Sequence, residues 1–598
     1  MKSRQTHNWV VKPLVPDEVY TDRTEFLEYF YHAALEAAHR RTMSTVLLGK
    51  RRMGKTEIFK RVVNRLFFEQ DPKDPNAVVP VYYCFQDGPL ERTEFAKIYL
   101  ENFMRYYVGF YTAQPELISD EADGEELIAR IEQARSMLPF SGRTFDLLLR
   151  KYTSIVTGDS TLPQKTALET PRRISDIDDS TIVIFLDEFQ NTSLPQYNFE
   201  ITGFMQEAVE SPTCPHFVTG SAMSILAREI IGRGSLFGRF DSEEIKAMSE
   251  YWGAELALKA AQYYKTEIPE VIAPLIADRC GGNPYYITAV VKQAAKRKES
   301  LTDENSINTL LAVDISSGFI WGELHDQITR WIERLNDYGI TKWILYLSAL
   351  EEGDRLDVER IRRELNAREG KDVSLDTIRN VLIKLSRGDL LEYLELGGWF
   401  RKVNDPILLE FLKVWGKIEV EGYDRASVQY ELVNQYQKLT RRISEYKGYL
   451  AEVFMSQVLL NGQRKTLSGR FFNSPEDIKM PWPFVFVRHR MRLGSGKGQE
   501  IDVIGATGGE VWVCQSKWVT GANIGVPVLE NLMSQAAVVK EDMDPSVIRM
   551  WLFAYKGLTR QARTFAEKQG ILWSSRDEFN DLLRHLGLRQ LPELTDLP

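Results

Sequence analysis

The stretch Thr45-Val46-Leu47-Leu48-Gly49-Lys50-Arg51-Arg52-Met53-Gly54-Lys55-Thr56 decides the fold of the amino-terminal part of this 598-residue chain. Its first four residues form an apolar run typical of a buried strand, and the next eight follow the pattern GxxxxGKT. In such a loop the backbone N–H groups surround phosphate at the start of a helix, where Lys55 reaches the β- and γ-phosphates and the Thr56 hydroxyl holds Mg²⁺. An ordinary Gly-Lys turn before an amphipathic helix is the alternative. The pattern predicts an ATP site at the residues Gly49, Arg52, Met53, Gly54, Lys55 and Thr56.

A second stretch, Thr181-Ile182-Val183-Ile184-Phe185-Leu186-Asp187-Glu188, is apolar until its last two residues. It predicts a buried parallel strand whose acids lie at the carboxyl end, where ligands bind in such sheets. We expect Asp187 to support Mg²⁺ through Thr56 or water, and Glu188 to polarise the attacking water. Two more parallel strands are predicted at 78–85 and 216–221. At the end of the second, Thr219 or Ser221 is placed to sense the γ-phosphate.

Several shorter motifs accompany these two stretches: Tyr20-Thr21-Asp22-Arg23-Thr24-Glu25, FLDEFQ at 185–190, Thr219-Gly220-Ser221, Ser235-Leu236-Phe237-Gly238-Arg239 and Gly281-Gly282-Asn283-Pro284. Together they resemble the prokaryotic archaeal-type ATPases of the STAND group, relatives of AAA+ and origin-recognition ATPases, over about residues 15–415. The resemblance implies that Arg239 contacts the γ-phosphate, in cis or from a neighbouring subunit of a homo-oligomer. Phe237 stands where the family has tyrosine. It also implies a helical lid whose turn at Pro284 faces the nucleotide. An ordinary surface arginine and a plain helix-breaking turn are the alternatives.

The region between the predicted strands at 78–85 and 181–188 is longer than a crossover needs. It contains an acidic stretch and a polar loop predicted at about 157–180, which we interpret as an insertion over about 110–180. After the lid, helical patterns at 343–347, 358–365 and 375–385 precede a hairpin pattern at 389–401, which predicts a winged helix. Such modules place a helix in the DNA major groove, and Arg379 and Lys384 lie on the candidate helix. Glu392 and Glu395 on the hairpin favour a packing role instead.

Charge is unevenly spread along the chain. The formal net charge of −9 divides into −13 for residues 1–430, +5 for 431–525 and −1 for 526–598. This shift predicts a domain boundary and confines nucleic-acid contact to the basic portion. No run of about 18 uncharged apolar residues occurs, and the four cysteines are scattered in mostly apolar surroundings. We therefore expect a cytoplasmic protein with reduced thiols and no membrane association.

The basic portion contains a pattern with chemical meaning. Asp502 ends one predicted strand, and a second predicted strand ends in Gln515-Ser516-Lys517. Alternation along a strand puts Gln515 and Lys517 on one side, facing Asp502 across a hairpin. A carboxylate and a neighbouring backbone carbonyl hold Mg²⁺ at a phosphate in this arrangement, while Lys517 orients water or stabilises the transition state. Glu452, on the preceding predicted helix, completes the metal site.

The succession of elements over about 440–585 resembles the Mrr-type nucleases of the PD-(D/E)xK superfamily, whose Mrr branch carries the Gln-x-Lys of Gln515 and Lys517. The resemblance implies Mg²⁺-dependent cleavage of double-stranded DNA. An inactive fold that only grips DNA is the alternative. Arg488, Arg490 and Arg492 alternate along a predicted strand and, with Lys497, predict a track for DNA phosphates. A solvated edge strand is the alternative.

We therefore predict an α/β chain of four domains: a P-loop ATPase core at 1–249 with parallel sheet and helices on both faces, a helical lid at 250–335, a winged helix and linker at 336–435, and a restriction-endonuclease-like domain at 436–598. The predicted function is an ATP-controlled, Mg²⁺-dependent DNA endonuclease in prokaryotic defence, activated by a phage or other trigger. The alternative is a non-cleaving ATP switch whose carboxyl-terminal fold and winged helix only bind DNA or a partner.

Overall fold

A computed structural model of the chain describes residues 9–592 except 89, 120–122, 138–141, 194–196, 221–225, 227–229, 231–233, 336–337, 370–371, 395–397, 404, 438–442, 494–498 and 520–521. The chain falls into two compact units. The first unit comprises Met1–Met248, Asn283–Ala289 and Val313–Gln429, and the second comprises Ser249–Gly282, Val290–Ala312 and Tyr430–Pro598. Residues of the predicted lid are therefore shared between the two units, and the four domain boundaries stay a prediction.

The first unit is built on a five-stranded parallel sheet with the order β2-β3-β4-β1-β5. The strands are β1 (Thr45–Leu48), β2 (Val78–Cys84), β3 (Thr181–Asp187), β4 (His216–Thr219) and β5 (Asp241–Glu244). Every residue of β1, β3 and β4 is buried, as expected for apolar strands covered on both faces. This parallel sheet with its flanking helices fits a P-loop NTPase domain. The predicted class of the amino-terminal fold is confirmed at that level.

Aromatic rings join the helices of the first unit to this sheet. Phe59 packs edge to face on Phe185 and Phe30, and Phe217 contacts both of those rings, with centroids 5.2 to 5.3 Å apart. These four side chains occupy the centre of the apolar core. The helices up to this point of the chain are α1 (Thr24–Glu36), α2 (Lys55–Phe68), α3 (Arg92–Tyr111), α4 (Pro115–Ser119), α5 (Gly124–Ala134), α6 (Gly142–Val156), α7 (Pro163–Asp178) and α8 (Gln206–Val209).

The polar loop predicted at 157–180 is wrong, because most of that segment forms α7. Proline at the first position of a helix costs no hydrogen bond, and Pro163 begins this one. Ala167, Leu168 and Ile174 recur at helical spacing and are buried in the core of the first unit. Most of the few apolar residues therefore lie on one face, a pattern that the mean polarity of the segment does not show, although Ile177 is exposed.

The next part of the chain is helical up to a small hairpin. The helices are α9 (Glu250–Tyr264), α10 (Ala273–Arg279), α11 (Pro284–Arg297), α12 (Glu304–Ser317), α13 (Phe319–Leu335), α14 (Tyr338–Leu350), α15 (Val358–Glu369) and α16 (Leu375–Arg387). The antiparallel strands β6 (Leu391–Leu394) and β7 (Trp399–Lys402) follow, and then α17 (Pro406–Glu419) and α18 (Arg425–Gln437). The three helices α14 to α16 and the hairpin come in the order that the winged-helix prediction requires.

The second unit contains a mixed five-stranded sheet with the order β10-β11-β12-β13-β14. Its first three strands are antiparallel neighbours, and its last three are parallel neighbours. The elements are α19 (Ile443–Gly462), β8 (Thr466–Leu467), β9 (Ile478–Lys479), β10 (Phe486–Leu493), β11 (Gln499–Ala506), β12 (Glu510–Lys517), α20 (Val526–Met543), β13 (Val547–Ala554), α21 (Arg560–Gln569), β14 (Leu572–Ser574) and α22 (Arg576–His585). Side chains of α19 and α22 cover one face of the sheet, and those of α20 and α21 cover the other. Among the described residues, no helix is long and apolar enough to cross a membrane.

Candidate functional site

The loop between β1 and α2 has the backbone of a phosphate cradle. Arg52 and Gly54 have positive φ values of 64° and 95°, and α2 begins immediately after Gly54 at Lys55. The Lys55 ammonium turns back into the loop and donates to the carbonyl oxygens of Gly49 and Lys50 at 2.7 and 2.8 Å. Burial lowers the pKa of Lys55 to about 8, an effect that Asp187 and Glu188 oppose. A cation held inside a loop at the start of a helix suits a polyphosphate ligand.

Asp187 ends β3 and is 1 % exposed. Its carboxylate accepts hydrogen bonds from the Tyr82 hydroxyl at 2.9 Å and from the Glu188 N–H at 2.8 Å, and it is also bound by the Thr56 hydroxyl. Burial and the neighbouring Glu188 raise the pKa of Asp187, while these hydrogen bonds lower it. Thr56 and Asp187 thus provide adjacent oxygen atoms, which is the donor set that Mg²⁺ takes at a nucleotide. The predicted pair is brought together, and the residues present fit the ion.

Tyr82 is a member of this site that the sequence did not reveal. It lies on β2, whose parallel register with β3 pairs Tyr82 with Phe185 and Cys84 with Asp187. The side chain of Tyr82 reaches two positions along the neighbouring strand to the carboxylate. A tyrosine two residues before a strand end was the available signal, but it has meaning only once the register of the two strands is known.

Glu188 has a left-handed backbone with φ of 51°. This conformation is uncommon for a residue other than glycine, and such residues cluster at functional sites. Its carboxylate accepts a hydrogen bond from the amide of Gln190. The acid predicted to polarise water therefore follows directly on Asp187 and is held by a neighbouring side chain.

The basic residues of the loop contact acidic and aromatic side chains of the first unit. Arg52 forms an ion pair with Glu323 of α13, and its guanidinium lies 4.7 Å from the ring centre of Tyr285. The Asn283 amide donates to the Arg51 carbonyl at 3.5 Å. The turn that begins α11 at Pro284 therefore lies against the phosphate loop, as the Pro284 prediction requires. Arg52 itself is engaged by protein groups.

Two other predicted residues, Thr219 and Arg239, are placed differently. Thr219 is fully buried, and its hydroxyl donates to the Leu47 carbonyl at 3.0 Å. This hydroxyl joins two neighbouring strands, and its role as a sensor of the γ-phosphate stays a prediction. Arg239 forms an ion pair with Glu210 at 2.8 Å and donates to carbonyls of its own turn. These contacts do not bring it to the loop of its own chain, and a role from a neighbouring subunit stays a prediction. Ser221 lies outside the described residues.

Gly49 is required by close packing. A Cβ atom there would lie 2.2 Å from Cγ2 of Ile245 and 2.7 Å from its carbonyl oxygen. Ile245 follows β5, and its N–H donates to the Leu48 carbonyl at 2.8 Å. Met53, also predicted in the loop, is buried in the core of the first unit. Its side chain therefore anchors the loop to the core of the first unit.

The second unit brings together the predicted acids and Lys517. The register that pairs Val503 with Cys514 places Asp502 beside Gln515 at the next position. The Asp502 carboxylate accepts a hydrogen bond from the Ser516 N–H at 2.8 Å. Burial raises the pKa of Asp502, while this hydrogen bond and the charges of Lys517 and Arg490 lower it.

Glu452 lies on α19 and is 5 % exposed. Burial raises its pKa to about 7, the hydrogen-bonded Arg490 opposes the rise, and Asp502 adds to it. Arg490 donates from Nε and Nη2 to the two carboxylate oxygens of Glu452 at 3.0 and 3.3 Å. The carboxylate that was predicted to bind metal is therefore held by an arginine.

The predicted phosphate track of arginines on β10 is also partly engaged by acids. Arg488, Arg490 and Arg492 are all exposed on β10, as alternation predicts. Arg490, however, pairs with Glu452, and Arg492 pairs with Glu500 at 3.1 Å. The three arginines do not form a set of unengaged charges, because acids from other elements reach two of them. Lys497 lies outside the described residues.

The donor set of the second unit is limited. Within the described ranges, no group of three or more His, Cys, Asp and Glu side chains stands close enough to hold a metal ion. Glu452 and Asp502 supply two carboxylates. Over the same ranges, the Oε1 atom of Gln515 is buried with no hydrogen-bond partner. Two carboxylates and an amide oxygen fit Mg²⁺ chemically, provided that Glu452 is released from Arg490.

Comparisons with known proteins give distant likenesses of fold. No protein-family model matches the chain, and no curated protein matches it. A Walker-type ATPase of Pyrococcus abyssi is 15% identical over 67% of this chain and 99% of its own length, with a TM-score of 0.43. The ORC2 protein of Aeropyrum pernix is 14% identical over 72% of this chain and 98% of its own, with a TM-score of 0.40. The ORC1 protein of the same organism, solved in complex with DNA, is 14% identical over 69% and 97%, with a TM-score of 0.34. At these values the likeness adds nothing to what the residues of the site show.

Proposed function

We propose that the chain is an ATPase that controls a Mg²⁺-dependent DNA endonuclease. The observation that carries the ATPase part is the geometry around Asp187, where Thr56 and Tyr82 bind one buried carboxylate beside the Lys55 cradle. The observation that supports the nuclease part is that Asp502 lies close enough to both Glu452 and Lys517 to interact electrostatically with them. A role in defence against foreign DNA, and activation by a phage or other trigger, rest on the family resemblance alone.

At the first site the protein groups have distinct tasks. The loop N–H groups and Lys55 bind the phosphates, since both present positive charge at the start of α2. Thr56 and Asp187 would hold Mg²⁺, which neutralises charge on the phosphates. Glu188 accepts a proton from the attacking water. The ion pair between Arg52 and Glu323 lies beside this site. The phosphates therefore compete with Glu323 for the Arg52 guanidinium.

At the second site Asp502 and Glu452 would hold Mg²⁺, which supplies Lewis acidity at the scissile phosphate. Lys517 lies near enough to lower the pKa of Asp502. Its ammonium can orient water and stabilise the additional negative charge that develops on phosphate. Arg488 binds the DNA backbone beside the site. The chemical step is hydrolysis, in which water attacks phosphorus and the 3′ or 5′ oxygen leaves with a proton.

Incubation of plasmid DNA with Mg²⁺, with and without ATP, tests both parts. We expect cleavage by the wild type that depends on ATP, and no cleavage by Asp502→Ala or Lys517→Ala. Lys55→Ala should lose nucleotide binding and ATP-dependent cleavage together. Cleavage that survives Asp502→Ala and Lys517→Ala would refute the nuclease. Nucleotide binding unchanged in Lys55→Ala would refute the ATP site. Native mass measurement with and without ATP tests the homo-oligomer that a role of Arg239 in trans requires.

A non-cleaving ATP switch is the second candidate. The observation that favours it is the ion pair between Arg490 and Glu452, which removes one of two carboxylates from metal binding. This candidate predicts DNA binding by the second unit without cleavage under any nucleotide condition. The plasmid assay separates the two candidates when DNA retention on a filter is measured in the same samples.

A further inference from the structure

Arg490 pairs with Glu452, one of the two carboxylates proposed to hold Mg²⁺. Its two nitrogens contact both carboxylate oxygens, a bidentate arrangement that satisfies the acid completely. A guanidinium in this position supplies positive charge to the carboxylate, as a bound divalent ion would, although it carries one charge instead of two. Asp502, the other proposed metal ligand, accepts a hydrogen bond from the Ser516 N–H through one of its oxygens.

The backbone of β10 is shaped to present this arginine. Arg490 has a left-handed φ of 48°, unlike its neighbours in the strand. The ladder with β11 pairs His489 with Val503 and Met491 with Ile501, and the position between them is left out. Left-handed conformations cost free energy for residues with a Cβ atom. The conformation of Arg490 is therefore held by its surroundings, of which Glu452 is the strongest electrostatic element.

A second contact of Arg490 links it to α9. Its guanidinium lies 4.7 Å from the ring centre of Tyr449, and the Tyr449 hydroxyl donates to the carboxylate of Glu250, the first residue of α9. Ser249, which caps α9, accepts a hydrogen bond from Gln457 of α19 at 3.0 Å. The start of α9 is thus bound to the helix that carries Glu452.

The chain just before α9 belongs to the nucleotide site. Ile245 packs on Gly49 and bonds to Leu48, and the carbonyl of Lys246 accepts from Arg23 at 2.7 Å. Only Ala247 and Met248 separate this segment from Ser249. The segment that packs on Gly49 is therefore joined to Ser249 and Glu250 by a short covalent connection.

We propose that Arg490 is a positioning residue that keeps metal out of the second site by occupying Glu452, and that movement of Glu250 and Tyr449 at the start of α9 releases it. This inference rests on the proposed nuclease function. It goes beyond that function by naming the residue that holds the site closed and the contact that opens it. Arg490 consequently acts on Glu452, while Arg488 keeps the task of binding DNA phosphate.

Metal binding to the nucleotide-free full chain tests the proposal, with Mn²⁺ alone as the probe in titration calorimetry. Arg490→Gln removes the charge and keeps most of the side-chain length. We expect it to bind Mn²⁺ at least about tenfold more tightly than the wild type. Arg490→Lys keeps the charge but offers one contact instead of two, so its affinity should fall between these values. Arg549→Gln, on β13 of the same sheet, also removes an arginine that is paired with a glutamate, and as the matched control it should bind as the wild type does.

Two further variants make the outcomes distinguishable. Asp502→Ala added to Arg490→Gln should abolish the gained affinity, because both acids form the site. If Asp502→Ala leaves Mn²⁺ binding unchanged, there is no metal site and the proposed nuclease fails. If Asp502→Ala removes binding but Arg490→Gln binds no more tightly than Arg549→Gln, the nuclease stands and the inference about Arg490 is overturned.

Tyr449→Phe tests the contact with α9, because it keeps the ring under Arg490 and removes the hydroxyl that binds Glu250. We expect plasmid cleavage by Arg490→Gln to be independent of ATP, and cleavage by Tyr449→Phe to respond to ATP less than that of the wild type. An unchanged ATP response in Tyr449→Phe would show that α9 does not release Arg490.

Discussion

Replacement of Tyr82 by phenylalanine removes one of the hydrogen bonds that hold the buried carboxylate of Asp187. The two side chains are 8 % and 1 % exposed, and 2.9 Å separates the hydroxyl from Oδ2. A hydrogen bond to a charged group contributes about 1.5–3 kcal/mol to stability. Because Asp187 stays buried after the substitution, no water replaces the lost donor, and we expect a free energy of unfolding lower by about that amount.

The adjacent residue offers a matched control. The Tyr83 hydroxyl is buried with no hydrogen-bond partner within the described part of the chain. Tyr83→Phe therefore removes a polar atom that contributes no hydrogen bond, and we expect it to leave stability unchanged or to raise it slightly. Both substitutions remove the same atom from neighbouring positions of one buried strand.

Urea titration of the two variants beside the wild type measures the difference. Equal slopes would show that the unfolded states are alike, so that midpoints report stability alone. We expect Tyr82→Phe to unfold at a lower urea concentration than Tyr83→Phe and to require more Mg²⁺ for half-maximal ATP binding. Equal midpoints for both variants would refute the assignment of Tyr82 to the Asp187 site.

Three other predictions concern the first unit. Burial lowers the pKa of His216 from 6.5 to about 4. The neutral side chain stabilises the fold above pH 6.5, and this contribution of about 3 kcal/mol is lost as the pH falls towards 4. The urea midpoint of His216→Phe should therefore fall less between pH 7 and pH 4.5 than that of the wild type. Burial lowers the pKa of Lys55 to about 8. Nucleotide affinity measured by calorimetry should therefore decrease as the pH rises through 8 and the ammonium loses its charge. A constant affinity up to pH 9.5 would contradict the placement of this charge at the phosphates. Gly49→Ala should lower the midpoint of thermal unfolding and weaken nucleotide binding, because its Cβ meets Ile245. Gly322→Ala lies in open space on α13 and should raise the midpoint by the equivalent of up to about 1 kcal/mol.

The strands of the first sheet were predictable because their sequences are continuous apolar runs. Residues 181–187 can be buried on both faces only in a covered parallel sheet, and the acids that follow necessarily lie at its carboxyl edge. The same logic located Lys55 and Thr56, since a fixed spacing couples the loop to the start of the helix. Local pattern therefore predicted where the candidate residues within one turn of a strand end lie.

The contacts that depend on distant pairing were not predictable. Tyr82 is 105 residues from Asp187 in the chain, and only the register between β2 and β3 brings the two together. The hydroxyl of Thr219 was expected at a phosphate, but the order of the strands puts it against Leu47. A polar residue at a strand end can serve either the ligand or the next strand, and its own sequence does not decide between them.

The basic segment shows why counting charges overstates the attraction for DNA. Residues 431–525 carry a net charge of +5, and alternation on β10 suggested three arginines that act together. Each arginine paired with a carboxylate has to break that pair before it neutralises a phosphate, so it releases fewer counterions than an unpaired one. The pairs of Arg490 with Glu452 and of Arg492 with Glu500 therefore reduce the charge that these two arginines can offer to phosphate. The formal charge of this segment is therefore an upper limit on the number of phosphates that it can neutralise.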